Sequence, residues 1–400
     1  MIRFNSFLHR LTLADIIGRW MVNRLQPTDV RNLKELISFN GHLARIVLDE
    51  VATDLFEQLL GRKVQSLPVS RKGVLKDFFV DNPLYVNQRI KQMVGRYRKF
   101  PQDFYRETPF DGRIYFEPNG GKPRIIGSTR RKRFKRIAEK SSRRIIDYTF
   151  QRIKDEAKRL AQERAEGLGV PVDRLVTPQH QQTEEFAHAE RRIVKSLRIG
   201  TFLDDMPLLD INDVFGIKAI VEDREVAQLT KLLRAHPRIE ILEYELHSGK
   251  YNALNITLKY RIDKEVLAAQ PPVGPTLDAF ADRGLNPLDI PEAYGQFIRE
   301  GEDQLVIELI ITNYQESLES EIGRTMHEER TLAQRDDQQY RGSLARNIAA
   351  LLEHMLVLRR HPSDHIDEIP IKLWIKYMPD YFEAVMKTAY GATDTVFLGY

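Results

Sequence analysis

Four hundred residues with 42% apolar side chains are enough for two ordinary domains, or one large domain with an appendage. The 61 Lys+Arg against 57 Asp+Glu exclude a polycation or a uniformly charged disordered tail. The chain has no cysteine, which excludes disulfide scaffolds, thiolate metal sites and cysteine nucleophiles and suits a reducing cytoplasm.

Residues 1–24 mix apolar side chains with Arg3, His9, Arg10, Asp15 and Arg19, the pattern of an amphipathic helix rather than a cleaved signal. No apolar run approaches the roughly 20 residues that span a bilayer, so a cytoplasmic protein with no membrane partner is expected. Pro27-Thr28-Asp29 starts a helix whose apolar residues keep helical spacing up to Gly61. An Arg- and Lys-rich helix follows from Asn82-Pro83 to about Phe100. Residues 113–116 and 123–126, around Asn119-Gly120-Gly121, read as a β-hairpin. From Phe134 the helical period resumes and holds to Gly167. Between Lys122 and Arg164 stand sixteen Lys/Arg against five Asp/Glu, densest from Arg130 to Arg136. Such an asymmetry points to a polyanionic partner or substrate. A second helix covers 184–195.

After Gly200 the texture becomes strand-like, over 208–221, 239–246, 253–262 and 304–312, with a helix at 224–236. A Pro- and Gly-containing loop spans 270–291 and leads to a short helix ending at 299. Residues 314–360 read as one long helix or a bent pair, and the last forty as a small appended element. The expected architecture is α+β, a mixed sheet flanked by helices, with a mainly helical N-terminal region and a long C-terminal helix. Its expected divisions are 1–126 (function unassigned), a basic helical segment 127–183, a sheet domain 184–330 and a helical tail 331–400.

Two carboxylates interrupt apolar strands, Asp213 in Leu208-Leu209-Asp210-Ile211-Asn212-Asp213-Val214-Phe215 and Glu308 in Val306-Ile307-Glu308-Leu309-Ile310. A lone buried carboxylate costs several kcal/mol, so such groups are normally paired, metal-bound or facing a cleft. Were the two to converge, a hard divalent cation would relieve their repulsion, and Mg²⁺ fits oxygen ligands beside a phosphate. The same pattern also suits two unrelated residues on a solvent-facing sheet. Ser248-Gly249-Lys250-Tyr251-Asn252 ahead of a strand offers a stacking platform for a base or, equally, a plain hairpin turn. Arg191, Arg192, Lys195 and Arg198 gather cations that could hold a triphosphate, or simply form a solvated helix face. No Gly-x-x-x-x-Gly-Lys-Ser/Thr is present, which excludes a P-loop.

In order, the basic Lys195-Ser196 segment, the Asp213-Val214-Phe215-Gly216-Ile217-Lys218 strand, the Tyr251-Asn252-Ala253-Leu254-Asn255 turn and the Val306-Ile307-Glu308 strand resemble the synthetase domain of the RelA/SpoT family. The resemblance covers about 186–330 and implies a nucleotidyltransferase-like fold. The activity it implies is pyrophosphate transfer from ATP to the 3′-hydroxyl of GDP or GTP. Under it, Asp213 is the Mg²⁺-binding aspartate, and Glu308 is metal ligand and general base. Arg192, Lys195, Ser196, Arg198 and Lys218 bind the ATP phosphates. Tyr251 stacks on the acceptor guanine, beside Lys250 and Asn255. Met326-His327-Glu328 is similar to the family's Met-His segment.

The chain departs from the family pattern at Ile310 and Thr312, where a glutamine and an arginine stand, and at Asn255 and Lys250, which replace a histidine and a glycine. It lacks the basic loop that meets the acceptor's 5′-phosphates, a role that Lys250 or the Arg130 to Arg136 run could take. It also lacks the family's hydrolase His-Asp dipeptide. The missing loop and the basic segment favour a second acceptor, the 3′ end of tRNA, met by Arg130, Arg131, Arg133 and Arg136 on a basic helix. A third reading is a degenerate fold that binds nucleic acid or a partner without catalysis. A homo-oligomer is compatible with each.

Overall fold

The computed structural model describes residues 1–118, 121–249, 252–358, 364–377 and 381. In chain order the elements are β1 (Ile2–Phe4), α1 (Arg10–Met21), α2 (Asp29–Leu60), β2 (Gln65–Arg71), α3 (Lys72–Asp81), α4 (Gln88–Lys99), β3 (Pro109–Glu117), β4 (Arg124–Arg131), α5 (Phe134–Gly167) and α6 (Gln179–Ile199). There follow β5 (Leu209–Ile211), β6 (Phe215–Ile220), α7 (Asp223–Ala235), β7 (Ile239–His247), β8 (Ala253–Arg261), α8 (Lys264–Ala268), α9 (Pro275–Ala281), α10 (Ile290–Glu300) and β9 (Gln304–Thr312). Three helices follow, α11 (Tyr314–Ile322), α12 (His327–Asp336) and α13 (Ser343–Val357). Among the described residues no helix is long and apolar enough to cross a membrane.

The fold is α+β, built on one mixed sheet in the order β2-β3-β4-β6-β9-β8-β7. All neighbours are antiparallel except β6 and β9, which run parallel. One face is covered by α2, whose Val47, Val51, Leu55 and Phe56 share a core with Ile217, Ala219, Leu309 and Ile311. The other face is covered at one end by α3, α4 and α11, where Leu75, Phe79, Met93 and Leu318 pack on Ile125 and Ile220. The remainder of that face is left to a cavity.

The N-terminal third is thus part of the sheet and not a separate helical region. Strands β2, β3 and β4 extend it, and a division at 126 would cut through β4. The basic segment is also only partly helical, since Arg130 and Arg131 end a central strand and α5 begins at Phe134. The run 208–221 is two strands. Its first piece, β5, pairs in parallel with β1 as a separate ribbon, and Asp213 falls in the break before β6. The expected long C-terminal helix is three helices, with Gly323 after α11 and Gly342 before α13.

Gly127 explains how α2 approaches the sheet. A Cβ there would collide with the Lys218 carbonyl oxygen on β6 and with the Phe56 ring on α2. Neither a ladder carbonyl nor a core ring can yield cheaply. Gly127→Ala should therefore destabilise the protein by about 1–3 kcal/mol, read as a lowered urea midpoint at unchanged m-value, whereas Gly95→Ala, where nothing lies within 4 Å, should not.

Candidate active site

One row of side chains crosses the middle of the sheet. Arg130 on β4 stands opposite Gly216 on β6, and Gly216 stands opposite Glu308 on β9. Since Gly216 has no side chain, the arginine passes over β6, and its guanidinium reaches Glu308 Oε2 at 2.9 Å. A Cβ on Gly216 would come within 3.3 Å of Arg130 Nε. Two residues along, by the period-two alternation of strands, Lys218, Ile310 and Asn255 form the next row on the same face.

Asp213 joins this face from the loop ahead of β6. Its Oδ2 is ion-paired with Lys132, just past β4, and with Lys140 in the second turn of α5. Lys132 also donates to the Asp213 carbonyl at 2.6 Å. Burial would raise the Asp213 pKa, but the two lysines outweigh it and hold the carboxyl well below the usual range. Its Oδ1 is buried with no hydrogen-bond partner among the described residues.

Asp213 and Glu308 line one cavity of about 760 Å³. Eight cations line it too, Lys72, Arg130, Lys132, Arg136, Lys140, Lys218, Arg324 and Arg330, against four carboxylates, Asp213, Glu308, Glu321 and Glu329. Helix α12 roofs it, contributing His327, Arg330, Thr331 and Gln334. On the floor, buried Glu321 accepts from Lys72 at 2.7 Å and lies 3.8 Å from Lys218. Burial opposes ionisation of Glu321, yet Lys72, Lys218 and Lys76 keep its pKa low.

The surplus of positive charge shows in the titrating groups. Burial first, then Lys72, Arg130 and Arg330, bring Lys218 down to about 8 despite Glu321. Burial, Arg130 and Lys140 bring Lys132 to about 8 against the pull of Asp213 and Glu308. Burial together with Arg130, Lys72, Arg330 and Lys218 pushes the His327 imidazole far below its ordinary value, so it is neutral. A cavity of this kind favours a polyanion, because bound phosphates supply the negative charge that the protein withholds.

The structure brings together Asp213, Glu308, Lys218, Asn255, Arg130 and Arg136 from the residues singled out in the sequence. Asn255 Nδ2 lies 2.9 Å from His247 Nε2. Tyr251 and Lys250 lie outside the described residues. Arg192, Lys195, Ser196 and Arg198 do not line the cavity. They ride on α6, which packs on the far half of α5. There Arg192 pairs with Glu156 at 2.7 Å, sixteen residues beyond Lys140, or about 24 Å along the helix. Ser196 donates to the Ile193 carbonyl of its own helix at 2.8 Å, and Lys195 and Arg198 face solvent. Arg131 turns away to Asp111 and the Gly41 carbonyl, and Arg133 is exposed at the turn into α5. The cations that take their place were not singled out individually. They are Lys72, Lys132, Lys140, Arg324 and Arg330, and only the Arg130 to Arg136 run carried a signal for them.

The residues fit Mg²⁺ in a limited way. Among the described residues no group of three or more His, Asp or Glu side chains could hold a metal. Mg²⁺, however, commonly takes one or two carboxylates and leaves its other positions to water and substrate phosphates. The orphaned Oδ1 of Asp213 is an available oxygen. The surrounding cations mean that the ion would arrive with its polyphosphate and not reside alone. Compared with family models, curated proteins and solved structures, the chain matches none.

Two outcomes test this geometry. Gly216→Val should separate Arg130 from Glu308 and cost about 2 kcal/mol, the net worth of a charged hydrogen bond, with Arg130→Gln giving a similar loss in urea unfolding. Polyphosphate affinity should fall as pH rises from 7 to 9, because Lys218 and Lys132 lose their protons above about 8. Titration calorimetry with tripolyphosphate checks this, and Lys218→Arg should lessen the dependence without abolishing it.

Proposed function

We propose that the protein is a nucleotidyltransferase-like pyrophosphokinase that uses Mg²⁺ to transfer pyrophosphate from ATP to the 3′-hydroxyl of a guanosine nucleotide. The resemblance to RelA/SpoT synthetases implies this reaction. The observation that carries it is the opening of Asp213 and Glu308 into one cation-rich cavity on one face of the sheet. Placement on opposite faces, or burial against a structural arginine with no room for a triphosphate, would defeat the reading; Arg130 does pair with Glu308, but a cavity of about 760 Å³ adjoins the pair and Asp213.

In this reading the donor triphosphate lies among Lys72, Lys132, Lys140, Lys218 and Arg330, which replace the α6 cations. Asp213 and Glu308 would hold Mg²⁺, which supplies charge neutralisation at the β- and γ-phosphates when bound. The acceptor's 3′-oxygen forms a bond to the β-phosphorus as the bond from that phosphorus to the α,β-bridging oxygen breaks. AMP leaves, and the hydroxyl proton passes to Glu308. Arg130, hydrogen-bonded to Glu308 Oε2, orients that carboxylate toward the cavity. Catalysis would then rest on positioning and on fixed charge. Ile310, where the family carries glutamine, gives the floor an apolar patch between Lys218 and Asn255.

Purified protein with labelled ATP, Mg²⁺ and GDP or GTP tests the reaction. A pyrophosphorylated nucleotide and AMP are expected in equal amounts. Glu308→Gln should slow the rate about 10²- to 10⁴-fold, the usual contribution of a general base, and Asp213→Ala should remove measurable product. Undiminished product from either variant would reject the mechanism.

A further inference from the structure

Two more hollows adjoin the carboxylate cavity at the ends of β3 and β4. The nearer, about 330 Å³, shares Lys72, Arg130, Lys132, Arg136 and His327 with it. Eight Lys and Arg side chains line this hollow against Asp111 and Glu328 alone. The farther is the largest of the three, at about 1320 Å³, and shares Phe110, Arg131, Lys132 and Arg133 with the nearer. The proposed transfer chemistry uses neither Phe110 nor the far hollow.

Several of these cations are already committed within the fold. Arg131 is tied to Asp111, Arg113 lies 3.2 Å from Asp49, and Arg283 donates to Ser38 at 3.1 Å. Two differ. Arg45 on α2 and Arg133 at the β4–α5 turn are both exposed, and both line the far hollow. Neither forms an ion pair with a described residue. The three carboxylates of this hollow, Asp49, Glu50 and Asp111, are paired with Arg113, Arg238 and Arg131, which leaves Arg45 and Arg133 outside those pairs. The apolar part of the same wall holds two half-buried rings, Phe110 and Phe134. The Phe110 ring centre lies 5.4 Å from Lys72 Nζ, on the side toward the carboxylate cavity. Solvent-facing guanidinium groups outside ion pairs, in a hollow that also carries aromatic rings, are the combination that holds phosphates and stacks bases.

We infer that this paired hollow is a second nucleotide-type site, distinct from the carboxylates, in which Arg45 and Arg133 hold phosphates and Phe110 and Phe134 stack a base. Its assignment as the acceptor's site rests on the reading of the carboxylate cavity as the donor's. Its ligand is a base followed by consecutive phosphates, supplied either by a free nucleoside 5′-polyphosphate or by the end of an RNA strand. The reacting hydroxyl would enter past Arg130, Lys132 and His327, three of the residues common to the near hollow and the carboxylate cavity.

Binding to the full-length chain separates these cases. The probes are GTP and a short single-stranded RNA, each measured by fluorescence anisotropy with a labelled form, and Mg·ATP is measured beside them. The double variant Arg45→Glu/Arg133→Glu should weaken at least one probe about tenfold or more and lower its salt dependence, since phosphate contacts are lost. Phe110→Leu/Phe134→Leu should weaken the same probe by a similar factor with little change in salt dependence. Mg·ATP affinity should stay within about twofold in both. The probe that responds identifies the source of the ligand. If neither probe binds the wild-type chain, or both doubles bind as it does, the site is refuted. Should the charge reversal unfold the chain, seen as lost Mg·ATP binding and circular dichroism, the leucine pair decides alone. A chain that binds a probe through these residues yet forms no transfer product leaves the site standing and rejects the reaction. Product formed with probe affinity indifferent to all four positions does the reverse.

Discussion

A single row of the sheet, in which Arg130 crosses a glycine to reach Glu308, governs the electrostatics of the whole cavity. A Cβ at position 216 would press on Arg130 Nε at 3.3 Å, and a branched side chain would take more of the space the arginine uses. Without the arginine, Glu308 would lose its hydrogen-bonded cation in a central strand, at a cost of about 2 kcal/mol. Arg130 also acts beyond its partner. It is among the groups that lower the proton affinity of Lys132, Lys218 and His327. Removing one guanidinium would therefore raise the proton affinity of three other groups facing the same space.

The wider arrangement follows from that row. Strand β4 ends in cations and turns directly into α5, so residues 130–140 bring Arg130, Lys132, Arg136 and Lys140 past both carboxylates within a short stretch of chain. The buried lysines of α3 complete the ring from beneath, held by Glu321 and Glu328. The N-terminal third is for this reason inseparable from the site. It supplies Lys72, three strands of the sheet and, through α2, the core on the opposite face.

Much of the sheet was legible because its central strands are apolar on both faces. The run at 304–312 carries that pattern, 253–262 shows the plain alternation of a strand with one buried face, and Asp213 and Glu308 stood out by interrupting apolar sequence. Strand β2 gave no such signal. It is an edge strand with Pro68 in its middle and only Val69 buried, so its sequence looks like a turn. Arg130 and Arg131 looked helical because consecutive arginines are poor candidates for a central strand. They are tolerated because one pairs with Glu308 and the other with Asp111. The cations of α6 misled for a related reason. A helix advertises its charges, but which of them meets a cavity is decided by the packing of α6 along α5, and that register is absent from local sequence. Arg324 and Arg330 were hidden inside what read as one long helix or a bent pair, whose breaks lie beside Gly323 and Gly342.

The roof of the cavity is made differently from its floor. Helix α12 buries only Glu328 and Thr331, and it is fastened by polar contacts, among them Arg335 to Glu139 at 2.7 Å, Arg136 to Gln334 at 2.6 Å and Tyr105 to Glu329 at 2.6 Å. Contacts of this kind are screened by dissolved ions, whereas the apolar seams under β6 and β9 are not. The segment thus belongs to the class of local structure that opens at small free-energy cost while the rest of the molecule stays folded. Added salt therefore weakens the fastening of the roof, apart from the buried Glu328 beside Lys72 and Lys76, more than it weakens the scaffold beneath.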